Sequence, residues 1–180
     1  MAIEVLNNRF CFYGAWNRTE NTECLEWFLK YVYPKLTIKL DFVVIGGGMP
    51  DSLQKKLKLY NSFSYLGFVV DPVKEIAKCQ ALIAPLHKGA GVKVKVIDSL
   101  SSGTCVIGTE VAFEGIEDNL ENRLFFHVET DEAFAAILNN WRVIDVKSKQ
   151  QAANEFFARY NTNHFTDLFE NENFFQHVRI

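Results

Sequence analysis

The sequence predicts a doubly wound α/β domain, a Rossmann-like parallel sheet with helices on both faces. Short apolar runs alternate with amphipathic stretches along most of the chain. The apolar runs are continuous rather than alternating in and out, as strands covered on both faces of a parallel sheet require. Glycines follow these runs at Gly14, Gly46 to Gly48, Gly67 and Gly89 to Gly91. In such a sheet, ligands sit beyond the carboxyl ends of the strands. The plainer account, that glycines merely end strands, stays open for each of them singly. At 180 residues the chain suits one domain with a sizeable core. Residues 1–145 are expected to form the layered part and 146–180 a C-terminal helical tail of the same domain.

Phe10 to Tyr13 reads as the first strand, ending at Gly14. Ala15 to Asn21 is polar. Thr22 to Tyr33 places Leu25, Phe28, Leu29 and Val32 at helical spacing, and Pro34 stops it. Asp41 to Ile45 is the second strand, and a helix carrying Leu53, Leu57 and Tyr60 follows. Ser64 to Leu66 is the third strand and Pro72 to Lys78 the third helix, with Val73, Ile76 and Ala77 inward. Ala81 to Ala84 is the fourth strand, Val92 to Ser102 a helix, and Thr104 to Gly108 the fifth strand. Phe113 to Ile116 is a loop or short helix. Leu124 to Val128 is the last strand, and Asp131 to Trp141 a helix with Phe134, Ile137 and Leu138 on one side. From Lys147 the tail is helical and rich in aromatics, namely Phe156, Phe157, Tyr160, Phe165, Phe169, Phe174 and Phe175.

The balance of 48% hydrophobic and 23% charged residues is globular and excludes disorder. A net charge of −3 argues against a general nucleic-acid binder. Cys11, Cys24, Cys79 and Cys105 are scattered with no CxxC spacing, so buried reduced thiols are expected. Asn17-Arg18-Thr19 matches a glycosylation sequon, a match short enough to arise by chance. No apolar run approaches the roughly 18 residues of a membrane span. A cytoplasmic protein, at most peripheral to a membrane in its full-length form, is the expectation.

The chemistry concentrates at Gly89, Ala90, Gly91 and Val92. A strand that turns through glycines into a helix leaves backbone N–H groups free at the helix start, where phosphate binds readily. His87, Lys88, Lys93 and Lys95 flank the turn and Asp98 lies further into the helix. Lys93 falls on the apolar arc of Val92, Ile97 and Leu100, so it must reach out past the first turn, to a ligand or as a snorkelling stem. Lys95 and Asp98 are i,i+3 neighbours and could form a plain surface ion pair. His87 could touch phosphate or donate a proton, or be an ordinary loop histidine. Arg18 is a phosphate ligand or part of a solvated loop.

Phe12-Tyr13-Gly14 is followed by Asn21 and a helix ending near Pro34. Then come Val43-Val44-Ile45-Gly46-Gly47-Gly48, Leu66-Gly67-Phe68-Val69-Val70-Asp71 and Ala84-Pro85-Leu86. The run from Gly89 to Ile107 resembles the pattern G-[SA]-G-x-[KR]-x-K-x-x-E-A-x-x-x-G-x-P-V-V. Taken in order over about residues 10 to 145, the set resembles the C-terminal, nucleotide-sugar-binding domain of GT-B glycosyltransferases of the group 1, family 4 type. Asp98 stands where that pattern has Glu, one methylene shorter, and Cys105 where it has Pro. Lys88 or His87 stands where many members carry an earlier Glu.

The resemblance implies a transferase using a nucleoside diphosphate sugar as substrate, with no cofactor and no metal. It implies that Asp98 binds ribose hydroxyls, that Phe68 and Val69 lie against the base, and that Lys93, Lys95 and Arg18 neutralise the diphosphate. Gly14, Gly47, His87, Gly89, Ala90, Gly91 and Val92 complete the donor site. It further implies a separate N-terminal acceptor domain that the chain lacks, so the chain is expected to be one half of an enzyme. The Phe-rich tail either crosses back to that domain or packs on its own, and exposed apolar surface is one on which two copies could pair. The competing expectation is a non-catalytic nucleotide-binding or interaction module that kept the fold. A nicotinamide-binding domain is disfavoured, because no GxGxxG follows the first strand.

Overall fold

Among the described residues, six strands pair in one parallel sheet, in the order β3-β2-β1-β4-β5-β6. They are β1 Arg9–Tyr13, β2 Asp41–Ile45, β3 Phe63–Gly67, β4 Ala81–Ala84, β5 Cys105–Gly108 and β6 Phe125–His127. This is a computed structural model, and it describes residues 5–116 and 124–160. Each expected strand is present, with ends shifted by a residue or so. The chain builds outward from β1 to β3, then returns beside β1 with β4 and builds the other way. The strand order therefore reverses between β1 and β4, and a crevice opens there at the carboxyl edge.

Burial explains the sequence pattern. All of β4 and β5, and all but the ends of β1 and the first residue of β2, are buried. The outer strand β3 alternates between half-buried and exposed, because at the edge one face meets solvent. Aromatics fill the layer between sheet and helices. Phe42 stacks on Phe63 at 4.8 Å, and Phe12 meets Phe28 edge-on at 5.0 Å. All four cysteines are buried, and none is in a disulfide.

The helices are α1 Thr19–Trp27, α2 Asp51–Leu57, α3 Pro72–Ala77, α4 Val94–Ser101, α5 Glu110–Phe113, α6 Asp131–Asn139 and α7 Val146–Tyr160. Two differ from expectation in an informative way. The first starts at Thr19 rather than Thr22. After Trp27 it widens to a π-turn over Phe28–Val32 and tightens to 3₁₀ at Tyr33–Lys35. Pro34, with no N–H to donate, ends the ladder. The helix expected from Val92 starts two residues later, at Val94, with Lys93 in extended conformation as its N-cap. The loop around Phe113 contains the single turn α5.

The beginning of the tail packs on this same domain. Ala152 and Phe156 are buried in the core. Lys149 is buried too, its ammonium donating to the carbonyls of Ala77 at 3.1 Å and Cys79 at 2.5 Å. Burial lowers its pKa. Phe165, Phe169, Phe174 and Phe175, and the side chains of Phe157 and Tyr160, lie outside the described residues. Among the described residues no helix is long and apolar enough to cross a membrane.

Phe42 touches Phe10, Phe12, Phe28, Tyr33 and Phe63. Phe42→Ala is expected to cost about 3–5 kcal/mol of stability, read from the urea midpoint at unchanged slope.

Candidate functional site

A cavity of about 730 Å³ opens at the carboxyl ends of β1, β2 and β4, where the strand order reverses. Its floor is the pair of turns after β1 and β2, with Gly14, Ala15, Gly46 and Gly47. These turns lie against each other. The Trp16 indole donates to the Ile45 carbonyl at 2.9 Å, and the Trp16 amide to that of Gly47 at 2.9 Å. At Gly46, φ is +114°, and a Cβ there would stand 2.0 Å from the Gly14 oxygen. Only glycine permits that approach.

Phe68, Val69, Val70 and Pro72 form one wall, following β3. Phe68 and Val70 are 82% and 94% exposed, so two apolar side chains stand unsupported over the opening. The opposite wall runs from Leu86 through Lys88, Gly89 and Ala90 to Val92, Lys93, Val94 and Lys95. Here the amides of Val94 and Lys95, at the start of α4, reach no backbone acceptor among the described residues. Arg18, Glu20 and Asn21 close the mouth.

Of the residues singled out from the sequence, Gly14, Gly47, Phe68, Val69, Gly89, Ala90, Val92, Lys93, Lys95 and Arg18 line this cavity together. Three do not. The exposed His87 ring turns edge-on to Trp27 at 4.9 Å. Gly91 lies in the turn, and its carbonyl accepts from the Lys93 ammonium. Asp98 sits a turn further along α4, half-buried and outside the lining. Burial raises the pKa of its carboxyl. It lies near enough to Tyr13 that, after burial, its charge is the next cause raising the pKa of the phenol.

The lysines also differ from the helical-wheel picture. Lys93 precedes the helix, so it is on no helical arc. Its ammonium folds back to Gly91 and pairs with Glu114 at 3.1 Å. Lys95 forms no ion pair with Asp98; its ammonium donates to the Asn21 side-chain oxygen. Burial lowers its pKa. Arg18 is 71% exposed, 3.9 Å from Glu20, and Lys88 reaches Glu23 at 3.0 Å.

Reading the residues one by one missed Tyr13, Trp16 and Glu114. Tyr13 and Trp16 carried a usable signal, a polar aromatic at a strand end whose hydrogen-bonding group needs a partner. Glu114 carried none, since nothing local ties it to a lysine 21 residues earlier.

This Rossmann-like architecture matches one half of the fold of solved GT-B glycosyltransferases. The chain belongs to the family of glycosyl transferases group 1, whose pattern matches residues 7–141. An uncharacterised 44.6 kDa protein in the cps region of Klebsiella pneumoniae is 26% identical over 169 residues, covering 86% of this chain and 42% of that protein. Staphylococcus aureus TarM, solved with UDP, is similar over 93% of this chain and 36% of its own, with a TM-score of 0.67 at 16% identity. Anabaena HepE, solved with UDP and glucose, is similar over 91% of this chain and 47% of its own, with a TM-score of 0.62 at 15% identity. The chain thus spans less than half the length of each.

Two outcomes are expected. Asn21→Ala leaves the Lys95 ammonium without its acceptor and should lower the unfolding free energy by about 1–3 kcal/mol, measured in urea. For Asp98, a raised pKa means that the folded state holds the proton more tightly than the unfolded chain. Its ionisation therefore costs stability as pH rises through 3.8 to the raised value. Asp98→Asn should melt like the parent below that window and higher near neutral pH, read by thermal unfolding across the range.

Proposed function

We propose that this chain is the donor-binding part of a glycosyltransferase and holds a nucleoside diphosphate sugar in the cavity between the glycine turns and α4. The observation that carries this is the cavity's position. It lies at the reversal point of a parallel sheet, with free amides at the start of α4 and Lys88, Lys93 and Arg18 around it. The diphosphate lies against those amides, and the base lies toward Phe68 and Val69. Asp98 takes the ribose hydroxyls once the half-buried carboxyl turns outward. The presence of UDP in the solved TarM and HepE structures makes uracil the first base to test.

The chemistry asked of such a site is leaving-group stabilisation. As the glycosidic bond breaks, negative charge builds on the departing diphosphate. Donors already aimed there stabilise the transition state more than the ground state. The acceptor and the rest of the catalytic groups come from a second domain, facing the exposed Phe68 and Val70 across the opening.

One observation favours a second reading, a module that binds nucleotide without turnover. Both Lys93 and Lys95 are engaged by neighbouring residues, Glu114 and Asn21.

Calorimetric titration of the chain with UDP, GDP and ADP and their sugars tests the donor assignment. Binding of one nucleotide is expected, weakened about tenfold or more by Asp98→Ala. Failure of all nucleotides to bind, or equal binding by the variant, would refute it.

A further inference from the structure

We propose that Glu114 is a built-in counter-ion that competes with the ligand's diphosphate for Lys93, and thereby selects for ligands carrying enough negative charge to displace it. This rests on the donor site placed above. Lys93 stands on the cavity wall immediately before α4, yet its side chain is only 12% exposed. Its ammonium is taken up by the Gly91 carbonyl and, at 3.1 Å, by Glu114.

The carboxylate is held there by the backbone. Glu114 caps the C-terminal end of α5, and Gly115 follows with φ at +77°. A Cβ at Gly115 would stand 2.8 Å from Val92 Cγ2. The Glu114–Gly115 backbone therefore packs closely against the Val92 side chain, next to Lys93. The other cations of the mouth differ. Arg18 and Lys88 are 71% and 69% exposed, and pairs so open to water are screened and contribute little. Lys95 on the same wall is held by the neutral Asn21 side chain, which leaves Lys93 as the shielded cation whose partner is a carboxylate.

A diphosphate entering this wall meets a cation already neutralised and a carboxylate of its own sign. It binds by taking Lys93 from Glu114, whose side chain is 49% exposed and is free to turn to solvent. A ligand with no phosphate gains nothing from that exchange. Removing the Glu114 charge should then tighten charged ligands alone, the reverse of what loss of a structural ion pair would do.

The test is calorimetric titration of UDP and of uridine into the whole chain. The proteins are the parent, Glu114→Gln, Glu114→Ala, Glu114→Asp and the double variant Lys93→Ala/Glu114→Gln. UDP is expected to bind Glu114→Gln about threefold more tightly or better, on the scale of a single partly exposed ion pair. Uridine should be unchanged. Glu114→Asp, which keeps the charge, should bind UDP as the parent does. The gain should vanish when Lys93 is also removed. Should the Gln variant fail to fold, as judged by circular dichroism, the Ala variant carries the same expectation. Equal or weaker UDP binding by the folded variant overturns the role of Glu114 while leaving the donor site intact. A parent that binds no nucleotide removes both.

Discussion

A buried ammonium must have an acceptor, and much of the site follows from how Lys95 finds one. Burial disfavours its charge, and the cost is offset by the side-chain oxygen of Asn21. The other end of the same amide donates to the Ala15 carbonyl at 2.8 Å. One buried side chain thus joins the loop after β1, the first turn of α1 and the start of α4, three segments meeting across the point where strand order reverses. Gly14 is part of the same junction, since a Cβ on it would press on Asn21 at 2.7 Å.

The consequence is a cavity whose floor is set by backbone rather than by large side chains. Turns touch at Gly14 and Gly46, and Trp16 pins them by two hydrogen bonds to the β2 end. A backbone floor of this kind presents amides and carbonyls that need no reorganisation when a polar ligand arrives. The charged side chains are a different matter. Arg18, Lys88 and Lys93 each have a carboxylate close by, and of the three Lys93, facing Glu114, is the least exposed.

Much of the fold was legible because the relevant signals are local. Continuous apolar runs at Asp41–Ile45 and Ala81–Ala84 can only be strands buried on two faces, and they are. Glycine after each run marked the edge at which the cavity lies. The helix at the glycine turn begins two residues later than periodicity suggests, because Val92 and Lys93 fit that periodicity although neither is helical and Lys93 is extended. The same periodicity puts Lys93 on an arc it does not occupy. His87, adjacent in sequence to the turn, goes to Trp27 instead, a partner supplied by another helix.

The sequence by itself determined the order of elements, which faces they bury and where the glycine turns fall, because side-chain period and turn chemistry act over a few residues. It also carried the ordered motifs that mark the family. Only the tertiary structure decided which charges meet. Lys95 with Asn21, Lys93 with Glu114 and Lys149 with the Ala77 and Cys79 carbonyls join residues 21 to 74 positions apart. Strand order brings those partners together, and no local period encodes it.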